Sequence, residues 1–148
     1  MKVDYPSLHK RITALCADET DEIAKMATIS CELFHSDARF DWVGFYRVTA
    51  PEVLKIGPYQ GGHGCLTIPF SRGVCGAAAR SGKVQIIKDV NAFAGHIACA
   101  ASTRSEIVLP VFHANRLIAV LDIDSDQPNA FNKNDAIYLQ KILANIFA

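Results

Sequence analysis

Three of the five cysteines lie in or beside glycine-rich segments, a local setting suited to thiol chemistry. These residues are Cys65, Cys75 and Cys99. His63 precedes Cys65 by two residues, and His96 precedes Cys99 by three. Cys75 lies near the start of a predicted helix, where the backbone dipoles favour a thiolate. The spacing fits three reactive thiols and three half-buried, unreactive thiols equally well.

Zinc binding is the rival chemistry for these residues. The three cysteines together with His63 or His96 would supply four soft ligands. Zinc motifs contain a close pair of ligands, and the chain has no Cys-x-x-Cys and only His96-x-x-Cys99 at such a spacing. We therefore expect no metal and no other cofactor, and a zinc-bearing structural domain remains an alternative.

Acidic side chains form a second group with possible chemistry. On a strand, Asp122 and Asp124 project from the same face, where they repel each other unless a cation lies between them. A calcium loop is excluded, because Gln127 occupies the position of the required glycine and Lys133 that of the bidentate glutamate. An α-ammonium group remains as the cation, and so does a plain solvated strand end. Glu106 opens the neighbouring predicted strand and could supply a third carboxylate.

An aromatic pair flanks a glycine in the first predicted strand. Trp42, Gly44 and Tyr46 alternate onto one strand face, which makes a notch with two aromatic walls. Taken alone, the pair is more simply explained by ordinary core packing. Taken together, the thiols, the acids and the aromatic pair indicate a pocket for a molecule with an amine and an apolar or sulfur-bearing chain.

The elements that must position these groups follow from hydrophobic periodicity. Their order lacks regular alternation of strand and helix, which favours an α+β domain with a mainly antiparallel sheet and helices on one side. Long irregular segments are expected over 57–65 and 88–105, and such loops are often functional in a small domain. Helices are predicted over Ser7–Cys16 with Ser7 as the cap, from Thr20 or Asp21 to Phe34, over Gly73–Ser81 and over 132–147; strands are predicted from Phe40 and over Val53–Ile56, Leu66–Phe70, Val84–Ile87, Ile107–Phe112 and Leu117–Ile123.

Composition limits the class of protein. The 148 residues carry 15 basic and 15 acidic side chains and are 50% apolar, as expected for one globular domain over 1–148. The zero net charge and the absence of a basic run argue against nucleic-acid partners, and no apolar run is long enough for a membrane span. The first residues lack the apolar segment of a secretory signal, so we expect a cytoplasmic protein with reduced thiols.

Six ordered blocks resemble the GAF-domain free methionine-(R)-sulfoxide reductases. The resemblance implies a single GAF domain with a six-stranded, mainly antiparallel sheet, helices packed on one face and the ligand pocket on the other. It also implies a homodimer that reduces free methionine (R)-sulfoxide and is recycled by thioredoxin. A GAF module that senses a small molecule or redox state without turnover is the alternative. The blocks are 42–46 (WVGFY), 57–61 (GPYQG), 65–76, 95–99 (GHIAC), 105–110 (SEIVLP) and 120–125 (VLDIDS).

The resemblance also assigns roles to individual residues. Cys99 matches the nucleophile, Cys65 the resolving cysteine, and Cys75 a third thiol that acts as a recycling relay or as support. Trp42 and Tyr46 match the wall around the substrate methyl group and sulfur. Glu106, Asp122 and Asp124 match the ligands of the amino and sulfoxide ends. A carboxyl group kept neutral by its acidic neighbours would suit as the proton donor, and any of the three acids could be that donor.

Overall fold

A computed structural model of the chain describes residues 1–97 and 99–148. Ala98, which belongs to the loop predicted over 88–105 and to the block 95–99, lies outside the described residues. Within the described part of the chain, no helix has the length and apolar character needed to cross a bilayer. The elements are α1 (Tyr5–Leu15), α2 (Glu22–Phe34), β1 (Trp42–Ala50), β2 (Val53–Gln60), β3 (Thr67–Pro69), α3 (Gly73–Ser81), β4 (Gln85–Ile87), a short 3-10 helix (Val90–Ala92), β5 (Ser105–His113), β6 (Arg116–Ser125) and α4 (Lys133–Ile146).

The six strands form one sheet in the order β3-β2-β1-β6-β5-β4, and every neighbouring pair is antiparallel. The predicted α+β class and six-stranded sheet are therefore confirmed. A two-residue turn joins β5 to β6, with Ala114 and Asn115 both at positive φ, as hairpin turns that match strand twist require. This hairpin sets Glu106 opposite Asp124 and Val108 opposite Asp122.

The two faces of the sheet bury different sets of side chains. Helices α1, α2 and α4 cover one face, where Phe45, Leu109 and Leu121 contribute to a fully apolar core. On the other face, α3 packs Val74 and Ala78 into a second cluster with residues of the sheet. Three helices thus lie on one face as expected, and α3 is the exception that borders the pocket side.

The predicted start of α1 and the predicted end of β2 are wrong. Asp4, not Ser7, caps α1, and the backbone N–H of Ser7 donates to the Asp4 carboxylate at 3.2 Å. Strand β2 continues to Gln60, although residues from 57 onward were expected to be loop. A register shift opposite Phe45 accommodates Pro58, because a bulge leaves one residue out of the hydrogen-bond ladder.

A buried ionic cluster joins the ends of three elements. The Arg39 guanidinium binds the Asp37 carboxylate at 2.8 Å and the Asp135 carboxylate at 3.0 Å. Asp135 also accepts a hydrogen bond from the hydroxyl of Tyr5 at 2.7 Å and forms the capping box of α4 with Asn132. This cluster therefore fixes α1, the entry to β1 and the start of α4 relative to one another.

Candidate active site

A pocket opens on the sheet face that carries α3. Its empty volume, including the space open to solvent, is about 520 Å³. The sheet forms the floor, the first turn of α3 forms one side, and residues 63–64, 96–97 and 99–103 form the rim. The lining residues are Trp42, Tyr46, His63, Gly64, Ile68, Gly73, Val74, Cys75, His96, Ile97, Cys99, Ala100, Thr103, Glu106, Asp122 and Asp124.

Trp42 and Tyr46 form the aromatic wall of the pocket, with 6.0 Å between their ring centroids. The ring of Tyr59, outside the pocket lining, also stacks on the Trp42 indole at 5.4 Å. The indole Nε1 donates to the carbonyl of Gly62 at 2.7 Å. The indole passes directly over Gly44, where an added Cβ would lie 2.5 Å from the indole Cη2. The indole therefore fills the space over Gly44 that was predicted as an open notch, and Gly44 lets the ring lie flat across the strand.

The position of Tyr59 behind this wall was not predicted. Tyr59 pairs with Gly44 across β1 and β2, which brings its ring beside Trp42 on the same face of the sheet. The sequence signal was the block 57–61, which was interpreted as loop. Alternation alone would not have placed Tyr59 on this face, because the register shift opposite Phe45 breaks the period of two along β2.

The three predicted acids meet on the pocket floor. Glu106 and Asp122 are buried, and Asp124 is partly exposed. One carboxylate oxygen, Oδ1, of Asp122 and one of Asp124 are buried with no hydrogen-bond partner among residues 1–97 and 99–148. Burial and then the charge of neighbouring acids raise the pKa of each of the three carboxyl groups well above its ordinary value. A cationic group placed here would relieve the repulsion among the three acids and satisfy the orphaned oxygens.

Two of the three predicted thiols are joined. Cys65 and Cys99 form a disulfide with a Cα–Cα separation of 5.3 Å, and Cys99 lines the pocket. The pairing implied by the family resemblance is therefore present in the structure. It ties the loop after β2 to the loop before β5 at the edge of the pocket. Since the formation of a disulfide from two thiols releases two electrons, this cysteine pair can act as a redox centre.

Cys75 is free and lies deeper, in the first turn of α3, with 4% of its surface exposed. Its Sγ and one carboxylate oxygen each of Glu106 and Asp122 all lie within 4.8 Å of one another. Burial, followed by the charges of Asp122, Glu106 and Asp124, raises the pKa of the Cys75 thiol well above its ordinary value. The expectation that the start of the helix would favour a thiolate here is therefore wrong, because burial and three acids outweigh the helix dipole.

The other two cysteines lie outside the pocket lining, and the two histidines of the zinc alternative belong to it. Cys16 is buried in the helix-side core, and Cys31 is exposed on α2. Both histidines of the zinc alternative line the pocket, and partial burial lowers the pKa of His96. Because Cys65 and Cys99 are bonded to each other here, they do not offer two thiolates to a metal. Thr103, a buried pocket residue, was missed because nothing in its neighbouring sequence distinguishes it from loop.

The fold and the pocket define a GAF domain, and the family model described as "GAF domain" matches residues 16–147. The chain is 42% identical to the free methionine-R-sulfoxide reductase of Escherichia coli, over 96% of this chain and 86% of that protein. It therefore belongs to the GAF-domain free methionine-R-sulfoxide reductase family, a family of oxidoreductases.

Two solved structures share the architecture throughout. The free methionine-R-sulfoxide reductase of Neisseria meningitidis in complex with its substrate superimposes with a TM-score of 0.90 at 41% identity, covering 97% of this chain and 87% of that chain. The reduced form of fRMsr of Staphylococcus aureus superimposes with a TM-score of 0.93 at 39% identity, covering 98% and 94%. The similarity thus extends over the whole fold, including the part that forms the pocket.

Proposed function

We propose that this protein reduces free methionine (R)-sulfoxide to methionine and oxidises Cys65 and Cys99 in the same reaction. The observation that carries the proposal is a disulfide at the edge of a pocket with an aromatic wall and an acidic floor. A redox-active thiol pair needs a bound oxidant, and the pocket offers aromatic faces to a sulfur-bearing chain and carboxyl groups to an amine. The family relationship supports the same substrate.

The substrate would lie with its apolar end against the aromatic wall and its amine against the acids. Trp42 and Tyr46 offer polarisable faces to the methyl group and sulfur. The orphaned Oδ1 atoms of Asp122 and Asp124 are suitable acceptors for the ammonium N–H groups. A methionine sulfoxide residue within a peptide has no α-ammonium group there, and burying its neutral amide against these acids would leave them unpaired. The acidic floor thus explains a preference for the free amino acid.

The chemistry balances within this set of groups. The Cys99 thiolate attacks the sulfoxide sulfur, and the oxygen accepts a proton from a neutral carboxyl group of the floor. The hydroxyl then passes from the methionine sulfur to the Cys99 sulfur, which breaks both the methionine sulfur–oxygen bond and the new sulfur–sulfur bond, so that methionine leaves and Cys99 carries the oxygen as a sulfenic acid. The thiol of Cys65 then displaces that oxygen as water and forms the disulfide. The sulfoxide gains two electrons, and the thiol pair loses two.

Recycling requires an external dithiol, for which we propose thioredoxin. A thioredoxin thiolate would attack the Cys65–Cys99 disulfide and form a mixed disulfide. The second thioredoxin thiol would then displace it, which leaves thioredoxin oxidised and both cysteines of this protein reduced. Cys75 lies on the floor beside Glu106 and Asp122, so it is either a relay in that exchange or a support for the acids. A thioredoxin-dependent cycle is consistent with a cytoplasmic location, and the family resemblance supports a homodimer.

The test is turnover with separated epimers of free methionine sulfoxide. The assay supplies NADPH, thioredoxin reductase and thioredoxin, and follows NADPH consumption. We expect turnover with the R epimer, little with the S epimer, and none with a peptide that contains methionine sulfoxide. Cys99→Ser should abolish turnover, and the matched control Cys31→Ser, which removes an exposed thiol of α2, should retain it. Binding of the R epimer without turnover by the unmodified protein would instead support a sensor.

A further inference from the structure

We propose that the pocket floor is also a binding site for Zn²⁺, built from Cys75, Glu106 and Asp122, and that zinc bound there blocks the substrate. The blocking part of this inference rests on the proposed function, because it places the substrate amine at the same acids. The binding part stands on the geometry alone. The ligand set differs from the cysteine–histidine set considered from the sequence, since only Cys75 is common to both.

The three proposed ligands lie close together and are buried. The Cys75 Sγ and one carboxylate oxygen from each acid lie within 4.8 Å of one another. Cys75, Glu106 and Asp122 are 4%, 6% and 5% exposed. Tetrahedral zinc, with bonds of about 2.3 Å to sulfur and 2.0–2.2 Å to oxygen, holds its ligands roughly 3.5 Å apart. Small side-chain rotations of about 1 Å would therefore close the site.

An independent observation points to a cation at this place. The Oδ1 atom of Asp122 is buried without a hydrogen-bond partner among the described residues, and so is that of Asp124 on the same strand. A buried carboxylate oxygen in this condition is unfavourable, and a bound cation is one way to satisfy it. The pocket opens onto these residues, so an ion has a path of entry and a water molecule can occupy a fourth ligand position.

The Cys75 thiol makes the site more suitable for Zn²⁺ than for Ca²⁺ or Mg²⁺. Ca²⁺ and Mg²⁺ prefer six or more oxygen ligands, including water, whereas a thiolate with carboxylates suits Zn²⁺. Zinc must displace the proton of Cys75 and any proton held by the two acids, so binding releases protons and weakens as the pH falls. Other groups facing the site are Asp124 and the hydroxyl of Tyr46 from the sheet, and His63 and His96 from the rim loops.

The experiment uses the oxidised protein, in which the Cys65–Cys99 disulfide removes both of those thiols from competition. Zn²⁺ is titrated into the chain against a chromophoric chelator at neutral pH, and released protons are measured in a weakly buffered sample. We expect one Zn²⁺ per chain with proton release, and no comparable binding of Mg²⁺. Cys75→Ser and Asp122→Asn should each weaken zinc binding by about 100-fold or more, since the loss of a residue that only hydrogen-bonds to a zinc ligand already costs about 10–100-fold.

Cys31→Ser is the matched control. The Cys31 Sγ lies 3.8 Å from the His35 Nδ1, so this exposed pair could bind zinc elsewhere on the protein. Zinc binding that survives Cys75→Ser but is lost in Cys31→Ser would overturn the proposal, and so would equal binding of Mg²⁺ or no binding at all. Circular dichroism of each variant checks folding, and Asp122→Asn provides the second test if Cys75→Ser is unfolded.

A competition arm separates this inference from the proposed function. Free methionine (R)-sulfoxide should raise the apparent zinc dissociation constant in proportion to its concentration. If zinc binds as described but the sulfoxide does not compete, the metal site stands and the placement of the substrate fails. If zinc does not bind but the sulfoxide is turned over, only the metal site fails.

Discussion

Substituting Gly44 with alanine should displace the indole that forms the pocket wall. The new Cβ would lie 2.5 Å from Trp42 Cη2 and 2.5 Å from Tyr59 Cβ. Carbon atoms in contact normally lie about 3.5–4.0 Å apart, so the overlap is about 1 Å on both sides. Tyr59 Cβ is anchored to the backbone of β2 and cannot yield, which leaves the indole to move. Its hydrogen bond to the Gly62 carbonyl at 2.7 Å and its contact with Tyr46 would then be strained.

Two effects follow from that displacement. Overpacking of this kind destabilises a core by about 1–3 kcal/mol. Misplacing a substrate-positioning group by about 1 Å can lower the rate about 100-fold, so we expect kcat/KM for free methionine (R)-sulfoxide to fall by roughly that factor. Trp42 is the single tryptophan of the chain, so its fluorescence reports the displacement directly, independently of activity.

Gly62→Ala is the control for this prediction. An added Cβ at Gly62 meets nothing within 4 Å, and the carbonyl that binds the indole is retained. We expect stability within about 0.5 kcal/mol of the unmodified protein, with unchanged fluorescence and kcat/KM. The reasoning is refuted if Gly44→Ala, while folded by circular dichroism, keeps both the emission maximum and kcat/KM of the unmodified chain.

Two further predictions concern the charged groups. The acids of the floor have folded-state pKa values above their unfolded values, so the folded state holds extra protons and the unfolding free energy falls as the pH rises above about 4. Asp122→Asn should therefore make the unfolding free energy less dependent on pH, and it should raise that free energy at pH 8 by about 1–3 kcal/mol. It should also lower kcat/KM. If urea unfolding curves show that the unfolding free energy of the variant falls more steeply with pH than that of the unmodified protein, the prediction is contradicted. Arg39→Ala should cost about 3–5 kcal/mol, because it leaves the buried Asp37 and Asp135 carboxylates without their cation, and thermal unfolding within 1 °C of the unmodified protein would show that the cluster is not structural.

The composition of the site was predictable because strand alternation is a strong signal. The period-two pattern from Phe40 placed Trp42 and Tyr46 on one face, and the same pattern placed Asp122 and Asp124 together. The hairpin turn at Ala114 and Asn115 then brought the strand of the third acid alongside them. These inferences needed only local geometry.

The residues that were missed depend on long-range register and on burial. Tyr59 stacks on Trp42 because β2 pairs with β1 through a bulge, and periodicity does not reveal where a bulge will fall. The helix start at Cys75 suggested a thiolate, but the pKa there is decided by acids from β5 and β6 that are distant in sequence. Asp4 rather than Ser7 caps α1, since both are good capping residues and only the packing of Tyr5 and Leu8 decides between them.

The most direct measurement is a single turnover with the products mapped by mass. The protein is fully reduced, freed of reductant, mixed with one equivalent of free methionine (R)-sulfoxide, and quenched with an alkylating reagent. The account predicts one methionine and one Cys65–Cys99 disulfide per chain, and a sulfenic acid at Cys99 in Cys65→Ser. A disulfide that uses Cys16 or Cys31, or methionine formed while Cys99 remains a free thiol, would contradict it.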